Sequence, residues 1–185
     1  MKVITGLFDA KAAAKAAVAE LEEAGVLSEE ISIIGYDSGE DGLEGTPSGA
    51  GMGAAIGGLL AGVGSLALLG VGPLFGAGWL IAALAGSAGA AAGGLAGGLI
   101  GSMTEAGIEE RDAHVYAEAI KRGGSIVIAK VDEATLDAAA SILGRHGRAD
   151  LPARRAEYMA QGWTGFEPAS PENAASPIVT PPPIR

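Results

Sequence analysis

Gly49-Ala50-Gly51-Met52-Gly53-Ala54-Ala55-Ile56-Gly57-Gly58-Leu59-Leu60-Ala61 lies near the start of an uncharged run: residues 45 to 104 contain no Asp, Glu, Lys, Arg or His. Small residues recur through it at every fourth position. Gly49, Gly53, Gly57, Ala61 and Ser65 form one series, and Ala85, Gly89, Gly93, Gly97 and Gly101 form another. A spacing of four returns to nearly the same side of a helix, so each series predicts a face on which two backbones can touch. Val71-Gly72-Pro73 divides the run, because proline cannot continue a helix. The expectation is an α-helical Gly-zipper hairpin over 49–103, with arms near 49–71 and 76–103. At about 1.5 Å per residue each arm would be roughly 35–40 Å long, enough to cross a hydrocarbon core of about 30 Å.

Outward from the hairpin, both flanks carry the same pattern. Val3 to Phe8 reads as a strand, Asp9 as a helix cap, Ala10 to Ala24 as a helix stopped by Gly25, and Glu30 to Tyr36 as a second strand. Ser125 to Val131 reads as a strand, Asp132 as a cap, and Thr135 to Leu143 as a helix ending near Gly144 and Gly147. A short last strand is expected around Arg148 to Leu151. Aligning Gly25 with Gly147 places Leu21 on Leu143, as two copies of one βαβ unit would. The expected class is therefore α+β: a ferredoxin-like split β-α-β sandwich built from 1–36 and 124–151. Between its halves fall an acidic Gly-rich linker (37–48), the hairpin (49–103) and a polar helix (105–123). An extended Pro-rich tail (152–185) follows, whose Tyr158, Trp163 and Phe166 are expected anchors on a neighbouring subunit.

Glycine inside a helix costs about 1 kcal/mol relative to alanine. The first arm holds eight glycines (49, 51, 53, 57, 58, 62, 64 and 70), so its helical form starts roughly 8 kcal/mol behind. Only close backbone packing offsets such a deficit. Leu59, Leu60, Val63, Leu66, Leu68 and Leu69, with Leu80, Ile81, Leu84, Leu95 and Leu99, exceed what one hairpin seam buries, so a second partner is required. Copies of the chain and a lipid bilayer both fit. The flanking acids Glu40, Asp41, Glu44, Glu105, Glu109 and Glu110 disfavour lipid, since membrane hairpins facing the cytosol ordinarily carry Lys or Arg there. Self-association through Gly49, Gly53, Gly57, Ala61, Ala85, Gly89, Gly93, Gly97 and Gly101 is the favoured expectation.

The order of elements, together with Gly70-Val71-Gly72-Pro73-Leu74, Tyr116-x-x-x-Ile120-x-x-Gly123-Gly124-x-Ile126-Val127 and Leu143-x-x-His146-Gly147, resembles a bacterial family. It is the general stress protein 17M-like group, also described as heat-induced stress protein YflT-like. The resemblance covers about residues 2 to 151. It implies a stress-associated bacterial protein and supplies no catalytic residues.

The net charge of −10 argues against nucleic acid as a partner, and the absence of cysteine leaves no thiol chemistry. The N-terminus has too short an apolar run for a signal peptide. A cytoplasmic location is expected, with association at the inner face of the cytoplasmic membrane as the alternative. His114 and His146 lack a cluster of further ligands, so no metal or other cofactor is expected. His146 reads as a helix-terminating residue, and Glu109, Glu110, Asp112 and Glu118 as a solvated face. Ser125 and Ser141 have no nucleophile signature, and no Walker or dinucleotide-binding loop occurs. A non-enzymatic self-assembling protein is the expected function; a small-ligand sensor rests on fold analogy alone.

Overall fold

The computed structural model describes residues 1–36, 64–68, 72–86 and 94–165. The strands are β1 (Lys2–Phe8), β2 (Ile31–Tyr36), β3 (Gly64–Leu68), β4 (Gly72–Gly78) and β5 (Ser125–Val131). They form one sheet in the order β1-β5-β2-β4-β3, with every neighbouring pair antiparallel. The helices are α1 (Lys11–Glu23), α2 (Trp79–Gly86), α3 (Gly94–Glu105), α4 (Glu110–Lys121), α5 (Leu136–Arg145) and α6 (Leu151–Ala160). The class is α+β.

The central strands β2 and β5 are apolar almost without interruption, the pattern of strands covered on both faces. Side-chain alternation then divides their residues between two cores. On one face Ile31, Ile33, Val127 and Ala129 meet Ala14, Ala17, Val18 and Leu21 of α1 and Ala139, Ile142 and Leu143 of α5. On the other, Ile34, Ile126 and Ile128 meet Leu80 of α2, Leu99 and Met103 of α3, Tyr116 and Ile120 of α4 and Tyr158 of α6. The sheet is thus the middle of three layers.

Several expectations need correction. Residues 64–68 and 72–78, placed in or beside helical arms, are the two strands of a β-hairpin, with Leu66 opposite Leu74. Glycine costs helix and strand alike, and the strand is favoured because β4 satisfies the otherwise open backbone of β2. Pro73 is tolerated in β4 because pairing with β2 begins one residue later, at Leu74 opposite Tyr36. The second arm is not one helix from residue 76: 76–78 end β4, and helical structure follows in α2 and α3. These have 8 and 12 residues, about 12 and 18 Å at the usual rise. Among the described residues no helix is long and apolar enough to cross a membrane.

The helix expected to be polar, within 105–123, buries Ala113, Val115, Tyr116, Ala117, Glu118, Ala119 and Ile120. Alanine and β-branched or aromatic residues outnumber its charges on the side that covers the sheet. No strand forms at 148–151; only the Ala149 N–H reaches the Leu7 carbonyl, at 2.8 Å. Residues 151–160 are helical rather than extended, because Asp150 caps the Ala153 N–H at 2.8 Å and Pro152 sits in the first turn. Asp9 does not cap α1, whose N-cap is Ala10 with no side-chain bond. The linker 37–48 lies outside the described residues.

Candidate functional site

The residues expected to mediate self-association divide by position. Gly49, Gly53, Gly57, Ala61, Gly89 and Gly93 lie outside the described residues; Ala85 falls on α2, and Gly97 and Gly101 on α3. Helices α2 and α3 pack against each other, and α3 packs against α4. Half-buried Gly101 takes no part in a close approach among the described residues. A Cβ built there meets no atom within 4 Å. Ala82 and Ala83 of α2 are likewise exposed.

Polar contacts add to the apolar packing of Leu80, Leu99 and Met103 that holds this uncharged part to the sheet. Gly78 turns the chain from β4 into α2 at φ +101°, and a Cβ there would sit 2.1 Å from the Ile31 carbonyl oxygen. Only glycine meets both conditions. Its neighbour Trp79 donates Nε1–H to the Glu30 carbonyl at 3.1 Å, while Lys130 Nζ lies 3.7 Å above the Trp79 ring. Ser32 Oγ, fully buried in β2, accepts the Leu80 N–H at 2.9 Å and so caps an apolar helix that brings no cap of its own. On α3, Ser102 and Thr104 donate their hydroxyls to Leu99 and Ile100 carbonyls at 3.0 and 2.9 Å. These hydroxyls therefore need no outside partner. In sequence, a lone Ser32 among Ile31, Ile33 and Ile34 is the signal for such a clamp.

The expected tail anchors turn inward. Tyr158 is buried in its own chain's core, edge-on to Trp163 with ring centroids 6.0 Å apart. The Arg122 guanidinium lies 4.3 Å from the Tyr158 ring centre, held by Glu118 Oε1 at 2.7 Å and by Gln161. Burial pushes the Tyr158 hydroxyl pKa up, so the ring stays neutral. Arg154 donates to both carboxylate oxygens of Asp9 at 2.7 Å, tying α6 to the end of β1. These contacts line a cleft of about 210 Å³ whose charges are already paired. The packing of Tyr158 and Trp163 occupies the surfaces that the expectation gave to a neighbouring subunit. Phe166 lies outside the described residues.

A second groove, about 380 Å³, runs between α1 and α5 and contains Glu20, Ser141 and Arg145. Glu20 accepts from Arg145 and, at 2.6 Å, from His146 Nε2. Arg145 first, then His146, hold its carboxyl pKa below the ordinary value. His146 ends α5, as its place before Gly147 predicts. Among the described residues no three His, Asp or Glu side chains converge as a metal site. Thr5 Oγ1 and Tyr116 OH share a hydrogen bond at 2.6 Å, and burial raises the Tyr116 pKa. Ser125 Oγ is buried with no partner among the described residues, distant in kind from an activated nucleophile that needs a neighbouring base.

No protein-family model matches the chain, and no curated protein or solved structure matches it either.

Proposed function

We propose that this chain is a non-enzymatic, stress-associated self-assembling protein in which the uncharged segment 45–104 makes the contacts between copies. One observation carries the reading. The outward positions Ala82, Ala83 and Gly101 of that segment face open space, although α2 is apolar on every side. A helix of that composition is ordinarily covered all round. Among the described residues this cover is incomplete, and a second copy supplies it without charge repulsion, since the segment has no charge.

The β1-β5-β2 arrangement with α1 and α5 on one face suits a ferredoxin-like core whose last strand is reduced to the Ala149 to Leu7 contact. The stress association rests on the resemblance to the general stress protein 17M-like group. The acidic flanks weigh against lipid as the partner.

Light scattering coupled to size exclusion, on protein extracted without detergent, tests the reading. A defined species many times 18.1 kDa is expected. Recovery as a monomer, or only from the membrane fraction with detergent, would overturn it.

A further inference from the structure

We infer that β3 is a docking edge for a second copy of this chain, in which two Gly64–Leu68 strands pair antiparallel about a two-fold axis through Leu66. The two five-stranded sheets then become one. This inference rests on the self-assembly reading above and names one of its contacts.

The two outer strands of the sheet are unlike. Along β1 the outer edge is interrupted by Ala149, whose N–H takes the Leu7 carbonyl, and its start carries Lys2, paired with Glu133 at 2.7 Å. Charges and covering chain are the usual protections of a sheet edge. β3 has neither. Gly64-Ser65-Leu66-Ala67-Leu68 contains no charge and no proline, and among the described residues only β4 pairs with it. Its outer backbone groups are a template for another strand.

A second β3 fits that template. Every pairing in this sheet is antiparallel, and a two-fold axis generates an antiparallel partner from the same patch on each copy. Centring on Leu66 is the one register in which all five residues overlap. Gly64 then faces Leu68, Ser65 faces Ala67, and Leu66 faces its own copy. No like charges oppose each other across the axis, the feature that commonly forbids such self-pairing.

The chain has no cysteine, so Leu66→Cys in the full-length protein creates a unique thiol. Across the axis the two Cβ atoms would lie about 4.5–5.5 Å apart. Oxidation, or a short bis-maleimide linker, is expected to convert most of this variant to a covalent dimer. Ala16→Cys, on the exposed side of α1, is expected to stay uncrosslinked under the same treatment. Leu66→Lys sets two ammonium groups against each other and is expected to raise the dissociation concentration about tenfold. If the unmodified protein is an oligomer while Leu66→Cys fails to crosslink and Leu66→Lys keeps the same mass, edge pairing is overturned and self-assembly through other surfaces stands. If the unmodified protein is a monomer of 18.1 kDa, the self-assembly reading itself fails, and the edge inference with it.

Discussion

Ser32 Oγ accepts the Leu80 N–H at 2.9 Å, linking a buried position of β2 to the first turn of α2, 48 residues away in sequence. The bond satisfies a donor that an apolar helix leaves without a partner. Removing it by Ser32→Ala strands the Leu80 N–H in a buried site, at a cost of about 1–3 kcal/mol. Chemical denaturation should show that loss, and hydrogen exchange at residues 79–86 should accelerate. Gly78→Ala should cost more, because it adds a Cβ where the Ile31 carbonyl already lies. An unchanged unfolding midpoint for both variants would remove the clamp from the account.

Tyr158 supplies a separate test, of how firmly α6 belongs to the domain. Its ring is buried against the second core, flanked by Arg122 and Trp163. Tyr158→Ala should destabilise the domain by about 3 kcal/mol, the usual scale for deleting a buried aromatic ring. Trp163 loses its ring contact and should shift its fluorescence to the red. A change within about 0.5 kcal/mol, the range of ordinary surface substitutions, would mean that α6 is a peripheral appendage.

Local signals made the flanking halves legible. β1, α1, β2, β5 and α5 occur within one or two residues of their sequence-based bounds because alternation, alanine-rich helical stretches and Gly25 or Gly147 mark them. The middle was not legible, for a physical reason. Periodicity reports secondary structure only when one face is polar, and from 64 to 104 no face is. Small residues spaced by four fit a helix and a strand equally, and in β3 and β4 they lie in strands. Elsewhere the sequence carries clearer signals. The unbroken run Ile126-Val127-Ile128-Ala129 requires cover on both faces, which α1 and α5 provide on one side and α4 on the other. Asp150 followed by Pro152 carried the start signal for α6, masked by Arg154, Arg155 and Glu157, which give the segment a linker's composition. The zipper, as a site, is reached only through Ala85, Gly97 and Gly101 among the described residues.

Glu20 gives the acid side of the stability profile a defined contributor. Its partners Arg145 and His146 lower its folded pKa below the ordinary 4.5. A carboxylate depressed on folding contributes stability that is complete above its unfolded pKa and is lost as the pH falls through the folded value. Stability should therefore decline as the pH drops below about 4.5. Asp132 acts in the same direction, its pKa lowered by the Thr135 hydroxyl and N–H, so the decline is shared. Glu20→Gln should flatten the slope below that pH and leave the neutral side nearly parallel. Identical slopes in unfolding experiments between pH 3 and 6 would exclude Glu20 as a contributor.

Gly101 separates the stability of one chain from the association of several. It lies inside α3, and a Cβ at this position meets nothing within 4 Å. Gly101→Ala should stabilise the folded chain by about 0.5–1 kcal/mol, from the higher helix propensity of alanine and the narrower unfolded ensemble. Gly101→Leu should also fold, because leucine is a good helix former and the space beside residue 101 is open among the described residues. Its bulk would stand where a neighbouring backbone must approach if this face joins two copies. The thermal midpoint of the leucine variant should therefore hold or rise, while light scattering shows a smaller assembly. An assembly of unchanged mass, with the midpoint raised, would show that Gly101 faces solvent in the assembled protein and that the contact between copies is made by another part of the uncharged segment.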